Sequence, residues 1–329
     1  MSNQRLLNDV HEIIFKGMDL NIKNILGSLE LKFLLEIDEI RLRVNKPLMV
    51  CRSNEDFLIN KNGKIVKSVD QAFIVRECEI YNSLQLLSQY SLYSIEEELS
   101  KGFITLKGGH RVGITGKAII EKGNIKTIKY VNGLNYRIMR EVKGCSQKIS
   151  KIIRKDSKDL FHTLIAGPPK TGKTTILRDL VRRFSTGDEQ YPGLKIGVVD
   201  ERSEIAGCHR GIPQNDVGIR TDVLDCCPKA QGIINLIRSM SPEVIVTDEI
   251  GSKEDLVSIH EALSAGIKII TTVHGANIEE LLNRPYISQM IRDRLFEKII
   301  FLDNSKGVGT ISSVVDVKDI IRIGIENVS

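Results

Sequence analysis

The residues best suited to chemistry lie between Gly167 and Thr175. Gly167-Pro168-Pro169-Lys170-Thr171-Gly172-Lys173-Thr174 is a complete G-x-x-x-x-G-K-[ST] run, with Thr175 directly after it. Each fixed position has a physical reason. Gly167 and Gly172 let the backbone curl so that successive N–H groups converge on phosphate oxygens. The Lys173 ammonium offsets charge on the β- and γ-phosphates, and the Thr174 hydroxyl can coordinate Mg²⁺. A helix opening at Lys173 would add its positive N-terminal dipole. The pattern predicts a site for ATP with Mg²⁺.

Phosphoryl chemistry needs carboxylates from other strands as well. Val244-Ile245-Val246-Thr247-Asp248-Glu249 supplies them, with apolar residues followed by two acids where a strand would emerge beside the loop. Asp248 suits a direct or outer-sphere contact to Mg²⁺, and Glu249 suits activation or orientation of an attacking water. Two further runs end in polar residues, Ile196-Gly197-Val198-Val199-Asp200-Glu201-Arg202 and Ile269-Ile270-Thr271-Thr272-Val273-His274-Gly275. In an open α/β sheet the ligand crevice lies at these carboxyl ends. Glu201 is therefore a candidate for Mg²⁺ or water positioning, and His274 for sensing the γ-phosphate. The competing readings are a loop-capping carboxylate and a structural imidazole.

These groups can meet only if short buried strands alternate with helices. The apolar runs predict strands at 161–166, 195–200, 243–248, 268–273 and 297–302, with helices near 173–185, 229–240 and 253–265. That alternation implies parallel strands with crossover helices, hence an α/β domain. The earlier part of the chain reads differently. Leu6, Val10, Ile13 and Ile14 recur at helical spacing, Glu39–Val44 alternates like a one-sided strand, and Ile74, Cys78, Tyr81 and Leu84 mark a second helix. Gly102–Arg140 is strand-rich, with hairpin signals at Lys107-Gly108-Gly109 and Lys122-Gly123-Asn124. The expected domains are 1–142 (α+β), 143–159 (a basic linker) and 160–329 (α/β).

Composition sets outer bounds. The 329 residues carry 47 Lys and Arg against 42 Asp and Glu, and 41% are hydrophobic, which excludes a wholly disordered chain. Nothing approaches the ~20 apolar residues of a membrane span. The opening residues lack a signal-peptide core, so a cytoplasmic location is expected. Six cysteines include no C-x-x-C pair, so reduced thiols are expected rather than a zinc site or disulfide framework. Between Lys101 and Arg154 stand 13 basic and 2 acidic residues, a segment that could meet phosphates, an anionic membrane or an acidic neighbour.

With these residues in hand, the chain resembles the bacterial secretion-type ATPases, the hexameric motors of type II and type IV secretion and pilus retraction. Gly167–Thr174, Asp200–Arg202, Asp248–Glu249 and Thr271–Gly275 look like that family's P-loop, acidic box, second carboxylate strand and His box. The likeness is closer still to a sporulation member of the family. It is carried by Glu39–Val44, Gly108–Gly113, Asn135–Val142 and Ser239–Gly251, and so extends over nearly the whole chain. The resemblance implies a RecA-like P-loop NTPase domain behind a smaller α+β domain. It implies a homo-oligomeric, hexameric ring with ATP at subunit boundaries. It also implies a peripheral place on the mother-cell side of the membrane around the forespore, serving membrane proteins of a sporulation channel complex. In such rings, arginines of the N-terminal domain reach the γ-phosphate, which makes Arg137 and Arg140 the preferred candidates here, ahead of Arg41, Arg43 and Arg220. The alternative for Arg137 and Arg140 is surface strand charge. The acidic box departs from the family in placing Arg202 early.

Two rival functions stand against this reading. A nucleic-acid-dependent RecA-like ATPase would use the basic segment on phosphate backbones. Trp is absent and aromatics are 5% of residues, leaving few stacking platforms, so no nucleic-acid partner is expected. A small-molecule kinase would need a lid insertion, and none is visible.

Overall fold

In the computed structural model, which describes residues 14–320 apart from Asn54 and Lys158, the chain divides between Arg140 and Glu141 into two units. The helix expected from Leu6 falls almost wholly outside the described residues.

Alternation builds the first unit. Strand β1 (Glu39–Arg43) buries Ile40 and Leu42 and turns Glu39, Arg41 and Arg43 the other way. With β2 (Met49–Arg52), β3 (Glu55–Ile59), β4 (Ile65–Val66), β5 (Phe103–Thr105), β6 (Arg111–Glu121) and β7 (Asn124–Arg137) it forms a sheet in the order β4-β3-β2-β1-β7-β6-β5. Every neighbouring pair is antiparallel. One face packs its apolar residues with those of helices Leu20–Gly27, Leu31–Glu36, Glu77–Leu87 and Glu96–Lys101. Helix Glu77–Leu87 does not bury the expected stripe: Cys78 and Tyr81 are exposed, while Glu79, Ile80, Ser83, Leu84 and Leu87 face inward. Two polar residues can lie on that face because each is bonded. Glu79 accepts from Arg76 N and Asn21 Nδ2, and Ser83 Oγ accepts from Asp19 N.

Strands β6 and β7 outrun their neighbours. Residues 117–121 of β6 pair only with 124–129 of β7, closed by a turn with positive φ at Lys122 (51°) and Gly123 (82°), which matches strand twist. The hairpin signalled by Lys122-Gly123-Asn124 is present.

Apolar runs build the second unit. Strands β8 (Thr163–Gly167), β9 (Ile196–Asp200) and β11 (Val244–Thr247) are buried along their full length. β12 (Lys268–His274) and β13 (Lys298–Asp303) are buried except at their ends. Two half-buried edge strands, β10 (Thr221–Asp225) and β14 (Thr310–Asp316), complete the order β10-β9-β11-β12-β8-β13-β14. All neighbours are parallel except β14, which returns antiparallel to β13. Helices Lys173–Thr186, Lys229–Met240 and Lys253–Ser264 fall where periodicity put them, and all-strand burial on both faces is what parallel crossover topology requires.

The expected linker at 143–159 is corrected. It carries helix Gln147–Ile153, whose Ile149 and Ile153 join the core cluster of β8 and helix Lys173–Thr186. Ser146 donates its N–H and hydroxyl to buried Asp179 at 2.9 and 2.7 Å. Lys148 and Lys151 sit on the exposed side of this packed helix, which composition alone presents as a polar spacer.

Tyr136 is fully buried in the first unit and donates its hydroxyl to Gly17 O at 2.5 Å. Tyr136→Phe leaves that carbonyl unpaired, so urea unfolding should show a loss of about 1–3 kcal/mol.

Candidate functional site

Register brings the site residues predicted in the second unit to one edge of its sheet. His274 lies opposite Gly167, Thr271 opposite Thr247, and Thr247 opposite Val199, so β8, β9, β11 and β12 deliver Gly167, Asp200, Asp248 and His274 to the same carboxyl end. The loop strand and the Asp248 strand are not neighbours. β12 lies between them, and its Thr272 and His274, two residues apart and on one face, span the gap.

At Gly167 and Gly172 the cradle of residues 167–172 leaves no room for a side chain. A Cβ on Gly167 would stand 2.8 Å from Leu302 O, and one on Gly172 (φ +84°) would stand 2.5 Å from Val308 Cγ1. Thr171 Oγ1 donates to Pro168 O at 2.8 Å, and Gly309 N donates to Thr171 O at 2.9 Å. Lys170 is left-handed at φ 63°. Thr174 and Thr175 occupy the first turn of the following helix.

Lys173 is buried and turns its ammonium back into the cradle, donating to the carbonyls of Gly167 and Pro168 at 2.8 Å each. Its Nζ lies 3.2 Å from His274 Nδ1, and His274 Nε2 lies 3.0 Å from Glu249 Oε1. An ammonium can only donate, so Nδ1 accepts and the proton sits on Nε2, which donates to Glu249. Arg202 Nη1 closes the chain on Glu249 Oε2 at 2.9 Å. Burial lowers the Lys173 pKa, and the nearby Glu249 charge opposes that shift. Glu249 itself has φ +29°, and its N–H donates to Thr272 Oγ1 at 2.9 Å. Strained backbone of this kind is kept where surrounding structure over-determines it.

Asp248 is 4% exposed, and its Oδ1 has no hydrogen-bond partner among the described residues. Burial, then the Asp200 charge, pushes its carboxyl up to about 7, against the lowering pull of Lys229. An orphaned buried carboxylate oxygen is a donor atom waiting for a cation. Among the described residues no cluster of three or more His, Cys, Asp or Glu could cage a metal. That pattern fits Mg²⁺, which takes one or two protein ligands and completes its shell with phosphates and water.

Asp200 and Glu201 are engaged elsewhere. Asp200 is fully buried and accepts from the N–H groups of Glu204, Ile205 and Ala206 at 2.8 to 3.0 Å, which makes it the cap of its own loop. Glu201 is ion-paired with Lys229 at the start of the next helix. In the first unit, Arg137 is largely exposed and 3.7 Å from Glu39, whereas Arg140 donates to Ile37 O at 2.7 Å and lies 3.7 Å from Asp38.

Sequence reasoning missed four contributors. Thr272 and Arg202 stood inside quoted motifs but had no assigned role. Arg284 donates to His274 O at 2.8 Å, from the bend just before helix Pro285–Arg292, which the periodicity did not reveal. Arg178, buried on the P-loop helix, donates to Ile205 O and Glu204 O at 2.8 and 2.6 Å and so fixes the loop that carries Arg202. Arg178 follows the P-loop by one helical turn, a signal available in the sequence but shared by many surface arginines.

The Asp248 shift gives a signed pH dependence. A carboxyl held protonated by the fold favours folding at low pH, and that contribution is lost as pH rises from its ordinary 3.8 towards about 7. Without nucleotide or divalent cation, Asp248→Asn should therefore be more stable than the parent. Thermal unfolding should show the advantage growing by about 2 kcal/mol between pH 5 and pH 7 and levelling off above it.

Residues 8–322 match the family described as sporulation stage III, protein AA. Stage III sporulation protein AA of Bacillus subtilis (strain 168) is 42% identical over 310 residues, spanning 94% of this chain and 95% of its own length. Among solved structures, the ADP-bound pilus retraction motor PilT is 13% identical with a TM-score of 0.57, over 88% of this chain and 82% of its own. The Legionella pneumophila ATPase DotB is 15% identical with a TM-score of 0.54, over 83% of this chain and 74% of its own. These likenesses establish the RecA-like P-loop fold. With the family match covering almost every residue, the chain belongs to the sporulation stage III protein AA family.

Proposed function

We propose that this chain is a Mg²⁺-dependent ATP hydrolase. It works as an oligomeric ring, expected to be hexameric, that energises or assembles a membrane-associated channel complex during sporulation. The observation that carries the reading is the orphaned Asp248 oxygen at the strand edge shared with the Gly167–Thr174 cradle. Thr174 and Asp248 would hold Mg²⁺, which when bound would supply positive charge to the β- and γ-phosphates.

The remaining work falls to the chain's own groups. Backbone N–H groups of residues 170–174 would face the phosphates, since Pro168 and Pro169 have none to give, and Lys173 would exchange its carbonyl partners for phosphate oxygens. Once Lys173 leaves His274 Nδ1, His274 is released to contact the γ-phosphate, and Glu249 is left to orient water from between His274 and Arg202. Glu201, held by Lys229, supports the acidic loop rather than the metal. Arg137, the more exposed of the two N-terminal candidates, is the first choice for acting on the nucleotide of a neighbouring copy, with Arg140 second. No helix among the described residues is long and apolar enough to cross a membrane. The place proposed for the chain is peripheral, on the mother-cell face of the membrane around the forespore.

Lys173→Ala should lose ATP binding in equilibrium dialysis. Glu249→Gln should bind ATP yet release phosphate about 10²–10⁴-fold more slowly. Normal phosphate release by Glu249→Gln would remove that residue from the mechanism, and a monomeric mass with and without ATP and Mg²⁺ would remove the ring.

A further inference from the structure

Helix Lys173–Thr186 has a second end, and the groups gathered there are not used by the site at the first. Basic residues often collect at a helix C-terminus to bond its last carbonyls. Here those carbonyls are already satisfied. Gly187 N donates to Arg183 O at 2.9 Å and Leu194 N to Phe184 O at 2.8 Å. Arg220 Nη1 donates to Ser185 O and Thr186 O at 3.0 and 3.2 Å.

Nevertheless, Lys151, Arg154, Lys155, Arg182 and Arg183 line one cavity of about 690 Å³ beside that end. Arg182 is committed to Asp179 at 2.7 Å, and Lys155 lies 3.7 Å from Asp159. Among the described residues, the other three have no carboxylate partner within ion-pair distance. Arg154 rests over the Tyr191 ring at 4.0 Å and the Phe184 ring at 5.2 Å, and its Nη1 donates to Ser157 O at 3.3 Å. Arg183 Nε is shielded from solvent with no described group to bond. The two acids on the wall serve their own loops. Asp188 Oδ1 accepts from Gln190 N and Tyr191 N, and Asp156 Oδ1 accepts from Asp159 N. Arg154 and Arg183 are near enough to repel each other, and Asp188 and Asp156 offset part of that repulsion at Arg154. Converging cations in a half-enclosed space are costly unless an anion joins them.

We propose that this cavity is a second anion site, which takes a phosphate-bearing molecule between Arg154 and Arg183 with Lys151 at its mouth. Guanidinium forks match phosphate oxygens two at a time. The volume exceeds a single phosphate and lies in the range of small-molecule sites, so the occupant carries an organic body as well as its charge. Arg183 stands ten residues beyond Lys173, about 15 Å along one helix, so the occupant is distinct from a nucleotide in the cradle. Two sources offer this chemistry, a free phosphorylated compound and a phospholipid headgroup.

The test uses the full chain carrying Lys173→Ala, which suppresses the P-loop site, and inorganic pyrophosphate as the probe in equilibrium dialysis. Saturable binding should fall about ten-fold with Arg183→Gln or Lys151→Gln, and should be unchanged by Lys253→Gln, which removes a charge outside the cavity. Lys151 is exposed, so its variant tests the site even if an arginine variant fails to fold. Sedimentation with phosphatidylglycerol vesicles, lost in Arg183→Gln and absent with phosphatidylcholine, would assign the headgroup source. Pyrophosphate binding without sedimentation would assign the free compound. Pyrophosphate binding that ignores these substitutions, or no binding of either probe, would overturn the proposal. Because the P-loop is disabled throughout, the result is independent of whether the chain hydrolyses ATP.

Discussion

The contact between the Lys173 ammonium and His274 Nδ1 governs how the rest of the site is held. A lysine has no lone pair to offer, so this one short approach settles the histidine tautomer, directs its remaining proton to Glu249, and leaves Arg202 to neutralise the far oxygen. Four side chains from a helix start, a central strand and two strand-end turns are thereby ordered into one polar chain. The same ammonium is the group that the sequence motif assigns to phosphate. Occupation of the cradle and the arrangement of the carboxylate are therefore linked through a single positive charge.

That linkage depends on a sheet whose polarity is confined to one edge. β8, β9 and β11 are buried throughout, so nothing along their lengths competes for Lys173 or Asp248. Asp200 shows how the edge is kept in order. Its carboxylate is spent on three N–H groups of its own loop, and Arg178 grips that loop's carbonyls from the P-loop helix. The acidic box is thus a piece of scaffolding as much as of chemistry, and Arg202 is the residue it presents.

The central strands and three main helices were legible because burial on both faces forces uninterrupted Val and Ile runs, and crossover helices show clear 3.6-residue periodicity. The meeting of the Gly167–Thr174 loop with Asp248 and Glu249 at one sheet edge was legible because each follows an uninterrupted apolar run that ends in polar residues. β10 and β14 escaped because an edge strand is only half covered, and Thr221–Asp225 and Thr310–Asp316 carry no strong pattern. Helix Glu77–Leu87 was placed but rotated, since Glu79 and Ser83 are polar residues whose burial depends on partners far along the chain. The basic stretch after Lys143 looked like a spacer because only Ile149 and Ile153 betray its packed face.

Gly309 N bonds Thr171 O, and Val308 fills the space a side chain at Gly172 would need, so the cradle leans on a turn more than 130 residues downstream. β13, which flanks β8, is also made late. During synthesis the G-x-x-x-x-G-K-T segment leaves the ribosome long before the wall it rests against. A nascent chain therefore cannot complete this cradle until Val308 and Gly309 have emerged, and the α/β core must first close on its own apolar strands.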